Sequence, residues 1–292
     1  MKPPDFQYVR ADDSRDAVAL LSEHGSDAMV LAGGQSLVPL LNLRLAQPTV
    51  LVDLNRASGL DYVRQDNGYV VIGAMTRQRT LETDPMVREA VPLLAEALRH
   101  VGHVTNRNRG TMGGSLAHAD PAAELPTLVK GLGGELIVEG PGGSRTVAAE
   151  DFFLSSFVTA MEYNEILAAV RLPRLPSGTG VAVEELTRRH CDFAIVAAMA
   201  AVHVGANGRA DLVRLALSGV DSVPVRLHES ESILEGSEPT DALIDAAGAA
   251  VADAVNPMDD IHAPAQYRRD MAQLLVTRAA SKAVGQARGG SA

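Results

Sequence analysis

A lone cysteine, no tryptophan and few aromatics of any kind set the first limits on this chain. Cys191 is the single thiol among 292 residues, and aromatic side chains make up 3%. One thiol excludes an internal disulfide, and also an iron–sulfur cluster held by four thiolates of this chain. Electron transfer here therefore needs a non-metal cofactor or clusters on another chain. The scarcity of aromatic faces argues against a base-stacking platform for nucleic acid. Positive charge is also in short supply: 26 Lys and Arg stand against 36 Asp and Glu, a formal charge of −10. Phosphate-backbone binding needs the reverse. Apolar runs such as Ala194–Val202 fall well short of the roughly 20 residues of a membrane span. The amino end, MKPPDFQYVRADD, has neither an apolar h-region nor a small-residue cleavage site, so a cytoplasmic location is expected. G-x-S-x-G, P-loop and G-x-G-x-x-G patterns are missing as well, which leaves hydrolase, NTPase and Rossmann readings without support.

What is present is an ordinary globular balance, 46% apolar and 21% charged, enough for one large domain or two moderate ones. Ser14–Glu23 has the spacing of an amphipathic helix. Met29–Leu31 reads as a short buried strand running into Gly33 and Gly34, with helical spacing resuming over Leu37–Leu45. Thr49–Leu54 and Tyr69–Ile72 read as strands, and Pro92–His100 as a helix. A polar, glycine-punctuated run covers Gly102–Ser115. Asp120-Pro121 then predicts a helix start, because Asp is a strong N-cap and Pro suits the first turn. Gly131, Gly133 and Gly134 close that helix, and Glu135–Glu139 with Ser144–Val147 form a hairpin. Leu172–Gly178 is the best linker, which divides the chain into domains 1–177 and 178–292. In the second, Ala194–Val204 and Asp211–Ser218 flank the hairpin turn Asn207-Gly208, although the Ala-rich run also suits a helix. Helices are expected near Val223–Leu234, Thr240–Val255 and Pro264–Gln286.

Two segments carry chemistry. In Ala32-Gly33-Gly34-Gln35-Ser36, paired glycines let the backbone turn sharply and bring its N–H groups to a ligand. The following helix adds a positive amino end suited to phosphate. Arg109-Gly110-Thr111-Met112-Gly113-Gly114-Ser115 repeats the pattern with small residues, free N–H groups and two hydroxyls. Together the two loops can clamp a pyrophosphate from opposite sides. Taken singly, each is weak evidence, because a Gly-Gly pair beside a strand is more often a plain turn.

The order of these segments, followed by Asp120-Pro121-Ala122-Ala123-Glu124-Leu125-Pro126, resembles the medium subunits of the xanthine dehydrogenase and aerobic carbon monoxide dehydrogenase family. Val71–Thr76, Glu165-Ile166-Leu167 and Arg188-Arg189 ahead of Asp192-Phe193-Ala194 extend the resemblance over nearly the whole chain. It implies an α+β fold: an FAD-binding domain of the vanillyl-alcohol-oxidase (PCMH-like) type, built of two α+β subdomains, plus a smaller C-terminal α+β domain. It further implies that Ala32, Gly33, Gly34, Gln35 and Ser36, with Gly110, Thr111, Gly113, Gly114 and Ser115, wrap the FAD pyrophosphate and ribityl chain. Glu124 corresponds to an acidic residue that bonds a ribityl or ribose hydroxyl. Val101 and Gly102 lie near the flavin, Leu167 makes an apolar contact, and His118 faces the ribityl chain or caps a loop. Ile195 stands where animal members place a lysine near the ring, and Ser115 where relatives often have Asn. The cysteine-rich insertion of the related benzoyl-thioester reductases is absent.

The remaining tempting residues have plainer readings. His100, His103, His118 and His190 invite a metal, but there is no HExxH pattern and no second cysteine. Arg107 either neutralises phosphate or makes a surface salt bridge. Glu124 suits a helix amino end on charge alone. Cys191 is most simply a small buried residue, and Arg188-Arg189 a solvated pair or a subunit contact.

The resemblance implies an electron relay. A molybdopterin-binding large subunit oxidises the substrate, and a 2Fe–2S small subunit passes the electrons singly to FAD on this chain. From there they reach an external acceptor: quinone, cytochrome, dioxygen or NAD. The expected assembly is a pair of heterotrimers, with no catalytic acid or base on this chain. The alternatives are a self-contained vanillyl-type flavin oxidase, for which the residues after 177 leave little room, and a structural subunit with decayed flavin loops.

Overall fold

A computed structural model of the chain describes residues 2–189 and 191–289. Three main sheets follow one another along the sequence. The first is parallel, in the order Gln7–Arg10, Val50–Asp53, Ala28–Leu31. Parallel neighbours need crossovers, and the helix Ser14–His24 supplies one. Asp13 caps it, its carboxylate accepting the Asp16 amide at 2.8 Å, while Ala17, Val18 and Leu21 turn inward. The other crossover leaves Ala28–Leu31, bends at Gly33 and Gly34, and returns through the helix Leu37–Leu43. That bend lies outside the carboxyl end of a parallel strand, where open α/β sheets bind their ligands.

The second sheet is antiparallel, ordered Val63–Asp66, Tyr69–Gly73, Ile166–Pro173, Glu135–Gly140, Gly143–Ala148. The chain between Gln78 and Gly131 is one long helical excursion from this sheet. Its helices Pro92–Leu98, Met112–His118 and Glu124–Gly131 place Leu94, Leu98, Met112, Leu116 and Leu128 in a common core with Val70, Ile72, Leu136 and Leu172. Exclusion of these side chains from water holds the excursion against the sheet.

The third sheet, ordered Gly180–Thr187, Ala194–Val204, Ala210–Ser218, Val225–Arg226, is antiparallel. The Ala-rich run is a strand here, not a helix, and every residue from Ala194 to Val202 is buried. The reason is double coverage. Val196, Ala198, Ala200 and Val202 share a core with the helix Ala265–Ala287. Met199 and Ala201 join the core of the preceding domain, on the side of Pro92–Leu98 and Glu124–Gly131. Alanine is a weak strand former, but its small side chain lets helices approach both faces. Gly131 shows how close they come: a Cβ there would lie 2.7 Å from that of Ala216.

Other expectations change as well. Asp120-Pro121 makes a turn instead of starting a helix. The Asp120 carboxylate accepts the Ala122 amide at 2.9 Å, a local bond that competes with capping, and the helix begins at Glu124. The segment expected as a helix from Val223 gives Val225–Arg226 to the sheet, where they pair with Leu217 and Ala216, leaving a helix over His228–Leu234. A sheet edge with open backbone groups outcompetes helix propensity there. Thr240–Val255 is two helices, Asp241–Ala249 and Val251–Ala254. No helix among the described residues is long and apolar enough to cross a membrane.

Two glycines separate packing from propensity. Gly131→Ala drives a methyl into Ala216 and should lower stability by about 1–3 kcal/mol. Gly285→Ala, in the interior of Ala265–Ala287 with open space around it, should raise it by up to about 1 kcal/mol. Urea denaturation of the two variants checks the opposite signs.

Candidate cofactor site

The two glycine segments touch. A Cβ on Gly33 would overlap the carbonyl of Arg109 and lie 2.9 Å from the Cα of Gly110, so only glycine permits this approach. Gly34 has φ +75°, in the left-handed region, and completes the bend. Several side chains that the sequence reading did not single out brace the contact. Asn55 donates through Nδ2 to the Ala32 carbonyl at 2.9 Å and receives the Arg77 guanidinium on its Oδ1 at 2.7 Å. The other arm of Arg77 bonds the Arg109 carbonyl. Asp53 anchors Asn55 by accepting its backbone amide at 2.8 Å and its side-chain amide, and it also accepts the Tyr8 hydroxyl. Burial works to raise the pKa of Asp53, but these hydrogen bonds outweigh it and hold the carboxyl below its usual range. Asn106 Nδ2 reaches Gln35 Oε1 at 3.3 Å, a further tie between the loops. Sequence gives only a faint signal for this set, Asp53 and Asn55 at the end of a buried strand.

The loops differ in what they offer. The amides of Gly33, Gly34, Gln35 and Ser36 donate to no acceptor among the described residues. In the second loop most amides are engaged, contrary to the expectation of free N–H groups. Gly110 donates to Asn106 at 2.7 Å, Met112 to Thr76 at 3.0 Å, Gly113 to Ala74 at 2.8 Å, and Gly114 to Thr111 Oγ1 at 3.0 Å. Thr111 keeps its amide unpaired among the described residues, because its antiparallel bridge to Arg77 is made by the groups on either side: the Met112 amide donates to the Thr76 carbonyl, and the Gly110 carbonyl accepts from the Gln78 amide. Gly110 and Gly113 are glycine for closeness, since a Cβ would strike Gln78 and Ala74 respectively. Ser115 Oγ accepts from Gln78 Nε2 at 3.0 Å, which leaves its hydrogen to donate outward.

Beside the loops, Arg107 is buried, neither a surface ion pair nor a phosphate ligand. Glu82 holds it at 2.9 and 3.3 Å, and its Nη1 donates to the carbonyls of Val101 at 3.0 Å and Gly102 at 2.8 Å. Burial works to raise the pKa of Glu82, but its bonds to Arg107 and Arg79 more than offset this. Next to Val101, His100 Nδ1 lies 3.2 Å from Glu185 Oε2 on the third sheet, and this carboxylate raises the imidazole pKa. Glu124 stands in the same neighbourhood, at the start of its helix, and burial pushes its pKa up to about 7. Leu167 is buried in the second sheet. The His118 ring packs on Phe157 with centroids 5.1 Å apart, and burial lowers its pKa.

No group of three or more His, Cys, Asp or Glu among the described residues has the arrangement of a metal site; His190 lies outside those residues. A separate cavity of about 510 Å³ lies between the turn at Asp120 and the third sheet, lined by Phe157, Phe193 and Ile195 among others. None of the glycine-loop residues lines it. Four successive backbone donors without an acceptor among the described residues fit a diphosphate, which offers only acceptors.

Comparison with known proteins decides the family. Residues 4–175 match the FAD binding domain in molybdopterin dehydrogenase, and residues 181–283 match the CO dehydrogenase flavoprotein C-terminal domain. The chain belongs to the FAD-binding subunits of the molybdenum hydroxylases. It is 40% identical to the 6-hydroxypseudooxynicotine dehydrogenase complex subunit alpha of Paenarthrobacter nicotinovorans, over 99% of this chain and 97% of that one. It is 39% identical to the carbon monoxide dehydrogenase medium chain of Hydrogenophaga pseudoflava, over 97% and 98%. The solved carbon monoxide dehydrogenase from that organism superposes with a TM-score of 0.95 at 38% identity, covering 98% of this chain and 99% of that chain. As a molybdenum hydroxylase flavoprotein subunit, the chain is an oxidoreductase component and FAD is its cofactor. The arrangement of a parallel subdomain, an antiparallel subdomain and a C-terminal domain is therefore the family's own, as the sequence resemblance implied.

Glu124 makes stability depend on pH in a defined sense. The folded chain holds a proton on this carboxyl up to about pH 7, whereas an unperturbed glutamate releases it near 4.5. Its contribution is fully present below 4.5 and is lost as pH rises through 7, with an upper bound on the order of 3 kcal/mol. His100, raised above its ordinary 6.5, acts in the same direction at higher pH. Denaturant titrations of the FAD-free chain from pH 4.5 to 8 should show this fall, and Glu124→Gln should flatten it. An unaltered slope in that variant would remove Glu124 as the cause.

Proposed function

We propose that the backbone amides of Gly33, Gly34, Gln35 and Ser36 hold the FAD pyrophosphate, assisted by the Thr111 amide and the Ser115 hydroxyl. The observation that carries this reading is the run of four unpaired amides on a bend whose partner loop is fixed in contact with it. Ala32, Gly110, Gly113 and Gly114 set the spacing of the two loops. Val101, Gly102 and Leu167 flank the flavin, Glu124 takes a hydroxyl of the ribityl or ribose chain, and His118 lies on the ribityl side. We place the boundary between the FAD-binding and C-terminal domains at 177. When bound, FAD supplies the chemistry, taking electrons singly and giving them up in pairs. The residues of this chain bind it, orient it and keep water from its phosphates.

In this reading the electrons come from a 2Fe–2S small subunit, which receives them from a molybdopterin-binding large subunit where substrate is oxidised. Two such heterotrimers pair. Relatives named as a medium chain and as a subunit alpha of a complex support the division of labour, as does a chain with one thiol. Partners carrying cysteine-held clusters call for a reducing compartment, which supports a cytoplasmic location.

Two measurements test the reading. Complex stripped of FAD should still reduce its iron–sulfur clusters with substrate but lose turnover with the final acceptor; unchanged turnover would refute the relay. Gly33→Ala, whose methyl meets the fixed Arg109 carbonyl, should lower FAD affinity at least about tenfold, read from flavin absorbance after gel filtration. Full FAD content in that variant would count against the first loop as the diphosphate cradle.

A further inference from the structure

Ser115 keeps its hydrogen where other helical hydroxyls of this chain use theirs. Serine and threonine inside a helix commonly donate to the carbonyl one turn back. Ser22, Thr83 and Thr127 do so, to Val18 at 2.8 Å, Arg79 at 3.1 Å and Ala123 at 2.9 Å. Ser115 stands in the helix Met112–His118, yet its hydroxyl donates to no acceptor among the described residues. Its oxygen instead accepts from Gln78 Nε2 at 3.0 Å. The residue is half-buried, so the unspent hydrogen stays within reach of a ligand.

Gln78 is placed to hold that oxygen. It is 4% exposed and opens the helix Gln78–Thr83, directly after Arg77. Its backbone amide donates to the Gly110 carbonyl at 2.9 Å, and its side chain lies so close over Gly110 that a Cβ there would overlap it. From Gly110 the side chain runs on to Ser115, so one residue spans both ends of the second loop. An amide nitrogen only donates, whereas a hydroxyl has one hydrogen and two lone pairs. With a lone pair taken by Gln78, the hydroxyl hydrogen is turned away from the loop interior. The first loop lies close by: a Cβ on Gly114, the neighbour of Ser115, would sit 3.5 Å from that of Ala32. We infer that Gln78 is a positioning residue for the cofactor, fixing the Ser115 hydroxyl as a donor so that the second loop meets the FAD diphosphate with a hydrogen and not with a lone pair. This role rests on the FAD placement proposed above.

Deflavinated complex should be titrated with FAD by flavin fluorescence, as wild type, Gln78→Met, Gln78→Glu and Ser115→Ala, and with each Gln78 change combined with Ser115→Ala. Gln78→Met, close in size and uncharged, frees the hydroxyl to turn back on the Thr111 carbonyl and should weaken FAD about three- to tenfold. Added to Ser115→Ala it should cost no more than about a further twofold, because the group it acts through has gone. Gln78→Glu tests the direction of the hydrogen. Its protonated carboxyl can still donate to Ser115, whereas the ionised form only accepts and draws the hydrogen inward. Relative to wild type, its FAD affinity should fall about 10- to 100-fold as pH rises and the carboxyl ionises. Ser115→Ala should remove most of that fall. Equal losses from Gln78→Met with and without the hydroxyl, or a pH-dependent fall that survives Ser115→Ala, would overturn the role and leave Gln78 as a brace of the loop. The Gln78→Met comparison decides this even where the buried carboxyl of Gln78→Glu prevents folding. If Ser115→Ala loses affinity while Gln78→Met does not, only the role of Gln78 fails; if Ser115→Ala binds FAD like wild type, the placement of that hydroxyl on the diphosphate fails.

Discussion

The contact between two backbones at Gly33 and the Arg109–Gly110 peptide is the constraint on which the rest of the site depends. One loop belongs to the parallel sheet and the other to the helical excursion from the antiparallel sheet, so this contact sets how the two subdomains meet. Its closeness demands glycine, and its direction is fixed by Arg77, which bonds Asn55 on one side and the Arg109 carbonyl on the other. Burial lowers the pKa of this guanidinium, with the nearby Arg109 adding to the effect. Asn55 and the carbonyl supply the acceptors that such a half-buried cation needs. Four N–H groups of the first loop are left without acceptors among the described residues, which makes it a donor surface.

Similar sequences in the two loops conceal different duties. Both present paired glycines and small residues, and a reading by residue type treats them as equivalent. The first bends and leaves four amides without an acceptor among the described residues. The second is a folded brace whose amides close on Asn106, Thr76, Ala74 and Thr111. Its glycines are needed because Gln78 and Ala74 press against them, and its help toward a diphosphate comes down to the Thr111 amide and a hydroxyl or two. This asymmetry follows from position: the first loop ends a parallel strand at a sheet's open edge, while the second is pinned by a bridge to Arg77.

The sequence shows strands and helices well where one face is buried, as in Ser14–His24 and the hairpin after Gly131, because period and burial then agree. Ala194–Val204 has the composition of a helix, but its hairpin turn at Asn207-Gly208 points to a strand, and it is one, with helices covering both faces of its sheet. The sequence misleads where tertiary context overrides local preference. Asp120-Pro121 has the signature of a helix start and becomes a turn because the Asp120 carboxylate closes on Ala122 first. The glycine loops are legible, since glycine in such a pattern has few other uses. Asp53, Asn55 and Arg77 are barely so, because each bonds a residue more than twenty positions away and only Asp53 and Asn55 leave even a faint local signature. Arg107 illustrates the same limit: an arginine next to a phosphate loop looks like an anion ligand, yet Glu82 has already neutralised it.

The distribution of charge along the site gives it a direction. On the proposed placement, FAD brings a negatively charged diphosphate to a chain that is itself acidic, and at the first loop neither Arg107, paired with Glu82, nor Arg77, held by Asn55 and a carbonyl, is free to meet it. Attraction therefore comes from oriented amide dipoles, which need no counter-ion and are fixed before the ligand arrives. The Glu124 carboxyl stands instead near His100, next to Val101 and Gly102, where on the proposed placement it meets a hydroxyl of FAD. On the proposed placement, donors at one place and an acceptor at another admit the dinucleotide in a single register, so the flavin's position follows from where hydrogen bonds can form.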